Sequence, residues 1–339
     1  MIESAALKDF RSLKRTLADR YLRPSRTGIA AFAATSPTPR HNVVGVGIGE
    51  KIVAGQPTGV LALKFFVRVK YTEREIAPRD RLPKFVDGLP VDVEEVRNFR
   101  KLAARRRRRR RISAMPNPRT RFRPAQPGCS VGFRYPGDQY VMAGTFGALV
   151  RDARGARYVL SNNHVLADEN QLALGSPIFQ PGLLDGGKPG SDAIAKLSRF
   201  IPMKAARINR VDAAIARLDR TTLAIPDILQ IGRPRGKTKA RIDMVVHKFG
   251  RTTSYTVGRV TSTDTDVSVD YDTGTFRFND QLIVVGTGGT SFSDSGDSGS
   301  SILERASGKV VGLLFAGSAT HTIANPIDTV LSALKVRLV

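Results

Sequence analysis

The chain has 339 residues, 41% of them hydrophobic, enough for a packed core and too apolar for wholesale disorder. Its 31 Gly and 19 Pro lean towards turn-rich β structure, and its only cysteine, Cys129, excludes an intrachain disulfide and disfavours a secreted, disulfide-stapled protein. A net charge of +24 suggests a nucleic-acid binder, but Phe99 to Pro124 holds 12 of the 54 Lys and Arg and no acidic residue, so half of the excess sits in one short segment.

Met1 to Leu22 is charged throughout and lacks an apolar signal core, and no run approaches the ~20 apolar residues of a membrane span. A cytoplasmic location with no membrane partner is therefore expected. Leu7, Phe10, Leu13, Leu17 and Leu22 recur at helical spacing, which predicts an amphipathic helix over 3–22 whose apolar stripe needs a partner surface. Pro24 to Pro39 reads as a loop. Val43-Val-Gly-Val-Gly-Ile-Gly reads as a strand with glycines on one face where another backbone packs closely. It is not a dinucleotide loop, because no capped helix follows. Further strands are expected at Val60 to Lys70 and Val91 to Val96, with a short helix over Thr72 to Leu82 between them. Residues 1–98 thus form a helix plus a small α+β domain, expected to regulate or assemble the rest. Its exposed strand edges would be covered by self-association into a homo-oligomer or by docking onto the following domain.

Residues 99–128 read as a basic, Pro-rich linker built around seven consecutive arginines, Arg105 to Arg111. Mutual repulsion keeps such a run extended and solvated. Phosphate contacts of a nucleic acid, or another acidic partner, are the functional alternative, and easy proteolytic cutting is a third. From Cys129 to Val339 the pattern is short strands separated by turns, among them 140–151, 158–161, 212–218, 244–249, 258–263, 281–285, 301–303 and 310–315, with a terminal helix over 326–334. Regular short strands of this kind predict barrels or sandwiches.

Three motifs lie in this part: Leu160-Ser-Asn-Asn-His164-Val-Leu-Ala, Val211-Asp212-Ala-Ala-Ile-Ala and Gly296-Asp-Ser298-Gly-Ser-Ser. A serine hydroxyl is a poor nucleophile unless a base takes its proton during attack; a histidine, with an unperturbed pKa of ~6.5, suits that task, and a buried carboxylate fixes its tautomer. His41, His247 and His321 lack this context and read as structural. In order, spacing and local sequence, His164, Asp212 and Ser298 resemble the catalytic triad of the chymotrypsin/trypsin-like serine peptidases. The resemblance implies a mostly β fold of two six-stranded barrels over 129–339, with the triad in the cleft between them. It implies hydrolysis of protein or peptide substrates through an acyl-enzyme, without cofactor. It also implies that the backbone N–H groups of Gly296 and Ser298 form the oxyanion hole, where losing one donor typically costs ~10²–10³ in rate. Asp297 would anchor this loop, with a counter-charge that the sequence does not reveal. Two departures stand out. Ser300 replaces the family's second glycine, and Phe315 stands where a hydroxyl usually supports the Asp.

By the same resemblance, Phe292, Phe315, Ala316 and Gly317 would line the substrate cleft, with Phe292 at the base of the specificity pocket. Phe292 offers no charge to a Lys or Arg side chain, whose burial would cost several kcal/mol, so cutting after apolar or small residues is expected; the rival reading of Phe292 is simple core. Ser-Asn-Asn-His-Val-Leu-Ala, Leu-Leu-Phe-Ala-Gly and the Val-Val-Gly-Val-Gly block look similar to the branch containing plant Narrow-leaf proteins and bacterial relatives. A silent relative that binds peptides, or a nucleic-acid-associated protein tethered by Arg105 to Arg111, are the rival functions. No Cys/His cluster has metal-ligand spacing, so no metal is expected.

Overall fold

A computed structural model of the chain describes residues 2–22, 38–53, 56–102, 115–134 and 142–339, with side chains from Phe10 onward in the first helix. The arginine run lies outside the described residues. Helix α1 spans Ile2–Tyr21. Strands β1 (Val43–Val53), β2 (Gln56–Val67), β3 (Phe85–Val86), β4 (Leu89–Glu95) and β5 (Arg100–Lys101) follow. Then come β6 (Ser130–Phe133), β7 (Gly144–Thr145), β8 (Ala148–Arg151), β9 (Arg157–Ser161), the single turn α2 (Asn163–Leu166), β10 (Pro177–Phe179), β11 (Ala193–Phe200), β12 (Ile208–Asn209) and β13 (Ala214–Leu218). The last group is β14 (Val245–Gly250), β15 (Ser254–Tyr271), β16 (Gly274–Gly286), β17 (Ser301–Glu304), β18 (Val310–Gly317), β19 (His321–Pro326), helix α3 (Ile327–Leu334) and β20 (Arg337–Leu338).

These strands make two barrels. One sheet runs β20-β8-β9-β13-β11-β10-β6-β7; β7 and β8 are halves of one strand interrupted at Phe146 and Gly147, which closes the ring. In the other, β14 pairs with β15 and β17, β15 with β16, β16 with β19, and β19 with β18, which in turn pairs with β17, a closed ring of six. The fold is mostly β and chymotrypsin-like, as expected, with a helix-containing N-terminal region before it. Cys129 is buried in the first barrel's core, and burial pushes its thiol up to about 12, so it behaves as an apolar side chain.

The N-terminal strands attach to this framework. β1 pairs antiparallel with β15, and β2, β4 and β3 extend the same sheet outward. The glycines of β1 are the reason it fits: a Cβ on Gly47 would stand 2.4 Å from Thr265 Oγ1 and 2.7 Å from Ser262 Oγ. Helix α1 lays Phe10, Leu17, Ala18 and Leu22 on Val46, Ile48, Leu63 and Phe65, so its apolar stripe is covered by the chain's own strands. Its buried Lys14 ion-pairs with Asp266 of β15 (2.6 Å) and Asp280 of β16 (3.1 Å). The helix expected over 72–82 is absent. Thr72 N–H and Oγ1–H both donate to Glu75 Oε2 (2.7 and 2.8 Å), a self-contained turn. Pro78 then disfavours helical backbone at Ala77, leaving one 3₁₀ turn at Pro78–Asp80. No described helix is long and apolar enough to cross a membrane.

Candidate active site

His164 sits in the buried turn α2, directly after β9, and Asp212 lies just before β13. His164 Nδ1 is 2.5 Å from Asp212 Oδ2, and its backbone N–H reaches Oδ1 at 3.3 Å. Both side chains are wholly buried. Asparagines hold the backbone of Asp212 in place: Asn162 Nδ2 donates to its carbonyl (2.8 Å), and its N–H donates to Asn325 Oδ1 (3.1 Å).

The hydroxyl that the family pattern places at Phe315 is supplied from elsewhere. Tyr271, at the end of β15, donates to Asp212 Oδ2 at 2.8 Å. Burial, then the neighbouring Asp212 charge, raises the Tyr271 pKa well above its ordinary value, so it remains a donor at working pH. Its ring lies edge-on to His164, with centroids 5.9 Å apart. Sequence reasoning missed this residue, because only the length and path of the β15–β16 hairpin carry it across to the first barrel. Phe315 instead turns its ring into the core, 4.9 Å from Phe278, and presents its carbonyl to the cleft.

Ser298 lies on a turn made possible by Gly296 (φ 100°) and Gly299 (φ 93°), left-handed conformations that favour glycine. The turn is wedged against the first barrel. Thr145 N–H donates to the Ser298 carbonyl (2.8 Å), and Thr145 Oγ1–H to the Gly296 carbonyl (3.0 Å). A Cβ on Gly144 would meet Val165 Cγ2 at 2.6 Å and the Ser298 carbonyl at 3.0 Å, so the histidine turn and the serine turn converge on this strand. Ser298 Oγ donates to the Phe315 carbonyl at 3.0 Å, and the buried Nε2 of His164 has no hydrogen-bond partner among the described residues.

Asp297 has an internal counter-charge. Lys248 Nζ is 3.4 Å from its Oδ2, both side chains being fully buried. Thr252 and Thr253 N–H donate to Oδ1 (2.8 and 3.1 Å), and Thr253 Oγ1–H and Asp294 N–H to Oδ2 (2.7 and 3.0 Å). Burial lowers the Lys248 pKa, and Asp297 acts against that shift. Ser300 fits in place of glycine because Gly250 opposite has no side chain; a Cβ there would stand 2.6 Å from Ser300 Oγ and 2.5 Å from Asp297 Oδ1.

Phe292 is buried in one apolar cluster with Leu102, Val246, Val260, Val284 and Leu314. Lys248 Nζ, paired with Asp297, is 5.9 Å from the centre of the Phe292 ring. Ala316 is buried on β18, and Gly317 ends it. A groove of about 1980 Å³ runs alongside, touching Lys101, Leu102, Asp294, Ser295 and Gly317. Behind α2, Asp168 is raised to about 6, first by burial and then by Glu169 and Asp272, with Lys101 opposing. The other histidines sit apart: His247 Nδ1 contacts Tyr255 Oη (3.1 Å), and His321 Nε2 contacts Glu94 Oε1 (2.8 Å). No group of three or more His, Cys, Asp or Glu suited to a metal occurs among the described residues.

The trypsin family model matches residues 127–333. Among solved structures, Thermobifida fusca Protease A is 18% identical, covering 63% of this chain and 97% of its own, with a TM-score of 0.45. A glutamic acid-specific serine protease is 20% identical over 63% of this chain and 100% of its own (TM-score 0.44), and Nocardiopsis protease 16% over 58% and 92% (TM-score 0.42). A comparison with curated proteins found no match. With well over half of its length matched by that family, the chain belongs to the trypsin family.

Proposed function

We propose that the chain is a serine endopeptidase in which Ser298 attacks, His164 moves the proton and Asp212 orients His164. The observation that carries this reading is the buried His164–Asp212 pair at 2.5 Å, with His164 Nε2 unpartnered among the described residues and a serine on a glycine-bounded turn packed against the same strand. Rotation of the Ser298 side chain exchanges the Phe315 carbonyl for His164 Nε2, which then accepts the hydroxyl proton as Oγ bonds to the substrate carbonyl carbon. Asp212, held by Tyr271, keeps Nδ1 protonated and stabilises the imidazolium. Gly296 and Ser298 N–H groups receive the oxyanion, on a loop tensioned by Asp297 and Lys248. The imidazolium protonates the leaving amine, and water completes hydrolysis of the acyl-enzyme.

The apolar cluster around Phe292, which offers no carboxylate to a basic side chain, supports cutting after apolar or small residues. Within the family, the Narrow-leaf branch is the assignment its motifs favour. The test is incubation of wild type and Ser298→Ala with a proteome-derived peptide library, cleavage sites being read by mass spectrometry. Cuts after apolar residues that vanish in Ser298→Ala are expected. Activity retained by pure Ser298→Ala refutes the nucleophile, and dominant cutting after Lys or Arg refutes the pocket. A silent peptide binder would show neither cuts nor fluorophosphonate labelling.

A further inference from the structure

The segment just before the arginine run lies in the cleft. β5 pairs antiparallel with β18, Lys101 opposite Ala316 and Arg100 opposite Gly317. Leu102 continues that line. Its N–H is 3.4 Å from the Phe315 carbonyl, the same oxygen that accepts the Ser298 hydroxyl, and its own carbonyl accepts the Gly296 N–H at 2.6 Å. Its side chain is buried in the Phe292 cluster, and a Cβ on Gly317 would stand 3.3 Å from Leu102 Cδ1. Three independent features therefore coincide on one residue: backbone along the substrate-pairing strand, carbonyl on an oxyanion donor, and apolar side chain in the specificity pocket.

We propose that the peptide bond on the carboxyl side of Leu102 is this enzyme's own substrate. The inference rests on the serine endopeptidase reading and names its first substrate. Ser298 Oγ adds to the Leu102 carbonyl carbon while His164 takes the hydroxyl proton. The bond to the nitrogen of residue 103 breaks, and that nitrogen leaves as an amine with the proton from His164. One water then hydrolyses the acyl-enzyme and leaves Leu102 with a free carboxylate.

The segment is held firmly enough to act this way. Lys101 Nζ ion-pairs with Glu169, in the loop after α2, and with Asp272 (2.9 Å) at the tip of the β15–β16 hairpin. Burial works against the Lys101 ammonium, but these two carboxylates outweigh it and raise its pKa. On the other flank Asp270 N–H donates to the Phe99 carbonyl at 3.0 Å, and Phe99 is buried. A tether of this kind presents its own residue at roughly millimolar effective concentration or above, ahead of most peptides in solution. It also means that the cut leaves Arg100 to Leu102 seated on β18, competing with outside substrates.

The test compares purified full-length wild type, Ser298→Ala, Leu102→Met and Leu102→Asp by intact mass and N-terminal sequencing. Wild type is expected to convert into two fragments, the second beginning at Ala103, while Ser298→Ala stays at 36.9 kDa. Leu102→Met is expected to be cut within about threefold of the wild-type rate, since it keeps volume and apolarity. Leu102→Asp carries a carboxylate into an apolar pocket and is expected to slow the cut at least ~100-fold. Fluorophosphonate labelling of Ser298 is read on the same samples. A wild-type chain that labels yet stays at full length, or is cut elsewhere, overturns the self-cleavage while the peptidase reading stands. A chain that neither labels nor is cut removes both.

Discussion

Lys248→Met tests whether a buried ammonium takes the place of an external counter-charge for Asp297. Methionine keeps most of the side-chain volume and removes the charge together with its hydrogen bonds to Thr253 Oγ1 and the Ser254 carbonyl. Asp297 is then left fully buried with four hydrogen-bond donors and no opposite charge. Breaking a buried pair from one side costs ~3–5 kcal/mol, and removing both partners costs far less. The four remaining donors offset part of the loss, so we expect about 3 kcal/mol for Lys248→Met. A chain of this size shifts by roughly 2 °C per kcal/mol, which places the melting temperature about 6 °C lower. The double substitution Lys248→Met/Asp297→Asn is expected to recover at least half of that shift. Turnover by Lys248→Met is expected to fall at least tenfold, because the same turn aims the Gly296 and Ser298 N–H groups. Calorimetry gives the melting temperatures, and burst-phase acylation of an apolar peptide ester gives the rate. A Lys248→Met protein that melts within 1 °C of wild type and acylates at the same rate refutes the counter-charge role.

Tyr271→Phe keeps the ring packing and removes one donor to Asp212; the acylation rate is expected to fall about tenfold with KM unchanged, as single-turnover kinetics would show. Glu94, lowered to about 2, is opposed by its own burial but held by the His321 contact and the Lys64 charge. Its contribution is fully present above pH ~4.5 and lost as pH falls through about 2, and Glu94→Gln is expected to cost about 3 kcal/mol at pH 7 and almost nothing at pH 2 in thermal melts. Asp168, raised to about 6, works in the opposite sense: it binds its proton more tightly in the folded chain, so stability declines as pH rises from ~4 to about 6. Asp168→Asn, which suits the left-handed backbone there (φ 46°), is expected to raise stability at pH 7 by up to about 3 kcal/mol and to remove that decline.

The barrels and the candidate triad were legible because their signals are local. Short apolar strands between turns, and a serine turn bounded by glycines, depend on neighbouring residues only. What could not be read depends on partners distant in sequence. Within β15 the sequence predicted a strand only over 258–263, because the polar stretch that follows shows no apolar alternation, yet the strand runs on to Tyr271. Its Ser262 hydroxyl donates to the Ile48 carbonyl at 2.7 Å, and its Asp266 pairs with Lys14, so residues more than 200 positions away satisfy its polar groups. Tyr271 was missed for the same reason, and so was Lys248, although it lies in the strand expected over 244–249. Nothing local to Lys248-Phe-Gly-Arg says that the lysine points inward at Asp297.

That long-range dependence also bears on how the first 102 residues relate to the chemistry. They contribute no member of the candidate triad, but β1 pairs with the half of β15 that ends in Tyr271, and Lys14 of α1 ion-pairs with the buried Asp266 of β15 and the partly buried Asp280 of β16. Lys101 ties the hairpin tip to Glu169, five residues beyond His164. The donor to Asp212 is therefore positioned by a hairpin that the N-terminal strands brace from one side and β5 from the other. A cut after Leu102 severs the chain without removing that brace, because β1–β15 pairing, the Lys14 ion pairs and the Glu94–His321 contact all survive it. On this view the N-terminal region is retained as part of the folded enzyme after the bond is broken. What changes is the freedom of Leu102 to leave the pocket, since its carbonyl is then a terminal carboxylate, held by Gly296 and no longer continued by the chain.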